Sequence, residues 1–295
     1  MRTGLLALAL GSGLWMAAQS DPFSSIRPLH AALSACTGDD CIALSDSLAT
    51  ALEQGLSEPG AFSDWPAETD FMAAVASANG KVRAFTWNWP HLDRTSGYGG
   101  LIADQDQDGA LRFTRLLDLS SADRPTDQRS LQPEDWSGAL YFSMVPDPVD
   151  KNTYLLLGWD DADAQVTRKV IEPLQLRPRG IRFGAPVLQG QRGMQRRHIL
   201  EYADAVQASL RHQPATRGRN AQPESIVFDH LAPREPHLTG ITAYYGPDMT
   251  FDAFVPGKKG RAPWVLQENI EVIQALPSDR PFNDPRPRNR RRNRR

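Results

Sequence analysis

Three aspartates at alternate positions ahead of a glycine, Asp104, Asp106 and Asp108 before Gly109 in "DQDQDG", have the residue types and spacing with which many calcium loops begin. A hard divalent cation collects carboxylate and carbonyl oxygens, and glycine at the sixth position permits the sharp turn between them. Such a loop must also be closed. Counting from Asp104, the twelfth position, where an EF-hand carries a bidentate glutamate, is Arg115. The ninth position, which closes the shorter loops of some β-repeats, is Arg112. Both closures fail at a guanidinium, which repels the ion that the missing carboxylate would have held. Two readings stay open. Asp104, Asp106 and Asp108 are metal ligands for a weakly held calcium completed by backbone carbonyls and water, or the stretch is a solvated hairpin loop. The flanks "YGGLIA" and "ALRFTRLLDL" have strand character and favour the hairpin. "WDDAD", with Asp160, Asp161 and Asp163, poses the same question more weakly and reads as a loop.

Other chemistry is sparse. The G-x-S-x-G and S-x-x-K nucleophile patterns are missing, as is H-E-x-x-H, and no two of the six histidines stand at helical ligand spacing. No glycine-rich phosphate loop follows a strand and opens a helix. Asp229 and His230 are adjacent in "SIVFDHL", and neighbours on a strand point to opposite faces, so structural hydrogen bonding is favoured over an acid–base pair. Asp248 and Asp252, four apart in "GPDMTFDAF", would share a face about 13 Å apart along a strand, too far for paired-carboxylate glycoside hydrolysis without a bend. Trp87, Trp89, Tyr244 and Tyr245 either stack on a planar ligand or fill a core, and sheet proteins favour the core.

The elements that must position these residues change character near Lys81. Before it, "SSIRPLHAALSA" and "CIALSDSLATALEQGL" repeat apolar residues at three- to four-residue intervals, as helices do, and Pro59-Gly60 is the stop. A third short helix is expected over "AETDFMAAVAS". From Lys81 the pattern alternates. "KVRAFTWNW" puts Arg83, Phe85, Trp87 and Trp89 on one face and Val82 and Ala84 on the other. "GALYFSMV" and "NTYLLLGW" are apolar on both faces, as strands covered from both sides must be. About ten strands with turn-rich connections and no intervening helical pattern predict a mainly β fold. The expected architecture is an antiparallel meander, closing as a sandwich, barrel or propeller, behind an N-terminal helical segment.

The ends bound where the chain works. Arg2, the apolar run "LLALALGSGLWMAA" and the small residues of "AQS" have the form of a signal peptide over residues 1–20, so export to the periplasm or beyond is expected. No later segment is apolar enough to cross a bilayer as a helix. Cys36 and Cys41, the only cysteines, are expected to pair in an oxidising compartment; two free thiols are the alternative. The last fifteen residues carry seven arginines and one aspartate, a net +6 against −2 for the whole chain. Such a tail cannot bury a core and suits an anionic envelope surface as partner, or none. The expected division is a signal over 1–20, helices over 21–80, the β domain over 81–275 and the disordered Arg-rich tail over 276–295.

"KVRAFTWNWP", "WSGALYF", "YLLLGWDD", "TRKVIEPL", "IRFGAPV", "RHILEYADAVQASLRH", "IVFDHLAP" and "YYGPDMTFDAFV", in this order over residues 65–270, resemble a family of secreted, mainly-β proteins of Gram-negative bacteria whose function is uncharacterised. The resemblance implies export and a mainly β domain, and supplies no reaction, ligand or catalytic residue. The resulting expectation is an exported, non-enzymatic binding or structural protein of the cell envelope, without a cofactor unless calcium occupies the aspartate loop. Two alternatives stand beside it. One is a hydrolase of envelope polymers or glycans using Asp229, Asp248 or Asp252, and the other is a calcium-stabilised adhesion module.

Overall fold

The computed structural model describes residues 24–65, 71–106, 108–118, 128–217, 221–257 and 264–270. The fold is mainly β and antiparallel, with helices at its N-terminal end and sheets stacked in a sandwich-like arrangement; among the described residues no sheet closes into a barrel. Residues 1–20 and the arginine tail lie outside the described residues. Among the described residues, no helix is long and apolar enough to cross a membrane.

Helices α1 (Ile26–Ser34) and α2 (Cys41–Ser57) are joined by a disulfide between Cys36 and Cys41. α2 buries Cys41, Ser45, Leu48, Leu52 and Leu56, a stripe at the period of a helix with one apolar face. Gly60, at φ +82°, turns the chain into the short α3 (Ala61–Asp64). The helix expected over "AETDFMAAVAS" is a strand where the structure describes it. β1 (Ala73–Ala76) pairs with β2 (Val82–Pro90), Ala74 opposite Phe85 and Val75 opposite Ala84. The reason lies in the next four residues. Ser77 Oγ accepts from Val82 N–H, Asn79 Oδ1 accepts from Lys81 N–H, and Gly80 takes φ +70°, so a tight turn folds the alanines onto β2. Ladder hydrogen bonds then outweigh the modest helical preference of alanine.

The first sheet runs β1-β2-β3-β4, with β3 at Ser96–Gln105 and β4 at Leu111–Leu117. Its alternation is the expected one. Phe85, Trp87 and Trp89 pack with Leu48, Leu52 and Leu56 of α2, while Val82 and Ala84 enter a second core on the opposite face. Gly99 makes room for an indole: a Cβ there would lie 2.4 Å from both Ser45 Oγ and Trp87 Nε1, which are themselves hydrogen-bonded at 2.8 Å.

The middle sheet orders β11-β7-β6-β5: β5 is Leu140–Pro146, β6 Thr153–Asp160, β7 Val166–Arg177 and β11 His198–Ala203. β8 (Gly180–Phe183) adds to β7. The outer sheet orders β10-β9-β15-β14-β13-β12. Its members are β9 (Leu188–Gly190), β10 (Gly193–Gln195), β12 (Leu210–Gln213), β13 (Ser225–Pro233), β14 (Tyr245–Pro256) and β15 (Trp264–Gln267). β15 pairs with β9 in parallel, whereas the other strand pairs among the described residues are antiparallel.

Three cores separate the layers. Leu156, Leu174 and Phe183 face Val82, Ala84 and Ile102 of the first sheet. Val145, Leu155, Leu157 and Ile171 face Ile226, Phe228, Phe254 and Trp264 of the outer sheet. The two-sided apolar pattern of β5 and β6 thus belongs to a sheet sandwiched on both faces. One charged pair is sealed inside. Arg197, fully buried, donates from Nε and Nη2 to Glu172 at 2.8 and 3.1 Å, and from Nη1 to the carbonyl of Arg129 at 2.7 Å. Burial raises the Glu172 pKa, with Arg197 opposing the rise.

Candidate functional site: a polar cleft between two sheets

The aspartate loop comes first because its spacing promised chemistry. β3 and β4 pair with Asp104 opposite Arg112, so "DQDQDG" is the connection between them. Asp104 is buried, and both of its oxygens are engaged: Arg112 Nη2 donates to Oδ2 at 2.7 Å and Nε to Oδ1 at 3.1 Å. Arg115, the other closing position, turns to the helical layer and donates to both oxygens of Glu53 at 2.8 Å. Asp106 Oδ1 accepts from the N–H groups of Asp108 and Ala110, each at 2.9 Å, which shapes the turn. These residues do not fit a calcium cage: an ion at Asp104 would have to displace a bidentate guanidinium. Among the described residues, no group of three or more His, Cys, Asp or Glu side chains is placed to hold a metal.

"WDDAD" is likewise a connection. Asp160 accepts from Arg168 and from Ala162 N–H, Asp161 from the hydroxyls of Ser96 and Tyr98, and Asp163 from Gln165 and Val166 N–H. Trp87 and Trp89 are core residues of the helical layer. Tyr244 is half exposed, and the Tyr245 hydroxyl oxygen accepts from Gly240 N–H at 3.0 Å.

Three of the four remaining candidates meet in one place. A cleft of about 340 Å³ opens where β11, the edge of the middle sheet, meets β13, β14 and the end of β15 in the outer sheet. Asp229, His230 and Asp252 all contribute to its wall; Asp248 does not. Simple alternation would have sent Asp229 and His230 to opposite faces. The β13–β14 ladder slips here: Asp229 pairs with Phe251, but Leu231 pairs with Pro247, so Asp248, Met249 and Thr250 stand against His230 alone, an excess of two residues. Asp248 Oδ1 accepts from Thr250 N–H and Oγ1–H, and Met249 adopts φ +74°, so the excess chain is folded into a bulge.

Just before the slip, Asp252 pairs with Phe228 and so lies diagonal to His230 on one face. His230 Nδ1 lies 2.8 Å from Asp252 Oδ2, while Asp252 Oδ1 accepts from Asn269 N–H at 3.0 Å. Asp252 therefore ties β13 to the segment after β15. The hydrogen bond to Asp252 is the main cause that raises the His230 pKa above 6.5, helped by the charges of Asp252, Asp248 and Glu268 and opposed by burial. Asp229 is committed elsewhere, its Oδ2 accepting from Ser209 N–H at 2.6 Å.

Sequence reasoning missed the other wall. Glu201 of β11 accepts from Thr242 Oγ1 at 2.5 Å and from Arg168 Nε at 2.9 Å. Glu268 is held by the amide of Gln191. His198 sits on an aromatic floor, its ring 4.8 Å from Phe228 and 5.1 Å from Phe254, with Nδ1 3.4 Å from Gln195 Oε1. The signal was present in "RHILEY", where a histidine and a glutamate interrupt an otherwise apolar strand. What it lacked was the partner sheet. The cleft thus combines hydrogen-bond donors and acceptors with aromatic and aliphatic surface, the composition of a small-molecule site. No family model, curated protein or solved structure matches this chain.

Proposed function

We propose that this chain is an exported binding protein of the cell envelope that holds a small polar ligand in the cleft between β11 and the outer sheet. The observation that carries this reading is the convergence of Glu201, His230, Asp252 and Glu268, from four separate elements, on one concave surface with an aromatic floor. Each of these side chains is held in place by a protein hydrogen bond, which lowers the ordering cost of gripping a ligand. Export rests on the signal-like residues 1–20, and kinship with the secreted β family rests on its series of motifs. The arginine tail, in the same proposal, holds the protein to anionic envelope material by a salt-sensitive contact.

The test is a ligand screen followed by amide NMR spectroscopy. Binding in this cleft shifts the resonances of Gln195, His230 and Thr242 together and leaves those of the β3–β4 loop unmoved. A ligand that shifts only residues outside the cleft would remove this assignment. The His230–Asp252 pair also favours a second reading, a hydrolase in which Asp252 orients His230 as general base. Turnover of an envelope glycan or peptide that His230→Ala abolishes would select it.

A further inference from the structure

We infer that the ligand is a neutral polyhydroxylated ring, a sugar residue; this rests on the binding role proposed above. Three observations lead there. First, the cleft's carboxylates already accept hydrogen bonds from the protein. Arg168 and Thr242 donate to Glu201, His230 and Asn269 N–H to Asp252, and Gln191 to Glu268. A carboxylate has about four acceptor positions, so one that serves the protein can still accept from a hydroxyl.

Second, the polar groups stand beside carbon surface. Phe228, Leu200, Leu231 and Leu266 line the same cleft. A bare inorganic ion has no use for such a wall, and an acyl chain has none for the carboxylates. A sugar has both faces, hydroxyls around its edge and C–H groups on its flat side.

Third, His230 selects for hydroxyl. Its Nδ1 must carry a proton to donate to Asp252, whatever the charge on the ring. The other nitrogen, Nε2, is then a donor when the ring is charged and an acceptor when it is neutral. An ammonium can only donate to it and a carboxylate can only accept from it, so each suits one state alone. A hydroxyl both donates and accepts, and it fits either. The titratable and charged groups around His230 are Asp229 beside it on β13, Asp252 and Asp248 of β14 and Glu268 beyond β15, with Glu201, His198 and Arg192 also lining the cleft.

Calorimetric and NMR titration of the full chain tests this. The probes are D-glucose, D-galactose, N-acetyl-D-glucosamine and their disaccharides, against putrescine and succinate, at pH 5.5 and 8.5. At least one neutral sugar is expected to bind, shifting Gln195, Thr242 and Tyr245, with affinity changing less than about threefold between the two pH values. His230→Ala and Gln195→Ala, both at partly exposed positions, are expected to weaken it by tenfold or more while keeping the folded spectrum. Binding of putrescine or succinate in the cleft without any sugar would overturn the ligand class and leave the binding role standing. Sugar binding that disappears at one pH would overturn the part assigned to His230. Silence from every probe, neutral and charged, would overturn both the class and the role beneath it.

Discussion

His230 keeps its proton to higher pH than a free imidazole because Asp252 accepts from Nδ1 and two further carboxylates lie near. Its NMR titration midpoint is expected above 6.5, and Asp252→Asn should move it down. The linkage follows in sign. A raised folded pKa gives stability that is fully present below pH 6.5 and is lost as pH climbs through the folded value, and His230→Ala should flatten that part of the pH–stability curve. Arg197 makes a harsher prediction. Arg197→Met strands the Glu172 carboxylate in the interior and should cost about 3–5 kcal/mol by urea unfolding, with Glu172→Leu in the same chain recovering much of it. Residue roles were legible where register alone decides them: Arg112 stands opposite Asp104, and arginine at the closing position leads directly to the observed ion pair. The His230–Asp252 pair was hidden. Alternation puts Phe228 and His230 on one face, but only the register, Phe228 opposite Asp252, shows that Asp252 lies diagonal to His230 there.

Elements carry the cost of close approach. Gly99→Ala drives a methyl against the Trp87 indole and Ser45 of α2, and should destabilise by about 1–3 kcal/mol in denaturant unfolding. In the β3–β4 hairpin, Asp106→Ala removes the acceptor for two turn N–H groups and should cost about 1 kcal/mol. Millimolar calcium should leave the Tm of both this variant and the parent chain unchanged, because Arg112 already neutralises Asp104; a rise on adding calcium would refute that hairpin account. The faces of β2 were readable because its alternation is uninterrupted. β1 was not, since "AAVA" has too little side chain to show a period, and the neighbouring turn settles its state.

At the scale of the molecule, four layers are held by three separate cores, and the helical layer is stapled only to itself. Reducing Cys36–Cys41 opens a loop with a sequence separation of five and should cost about 2 kcal/mol, read as a lower Tm with the sheets intact. The double-sided strands β5 and β6 announced the middle sheet in advance, whereas the outer sheet, assembled from pieces of three to twelve residues, left only fragments of pattern. Its assembly has a temporal side. β15 is the seam that joins β14 to β9, and its four residues are the last strand to be synthesised among those described. A chain emerging N-terminus first therefore carries the β9–β10 pair with the other edge of β9 open until Trp264 arrives. Glu268 comes later still, so the part of the cleft wall that it supplies is in place only after β15 has closed that edge.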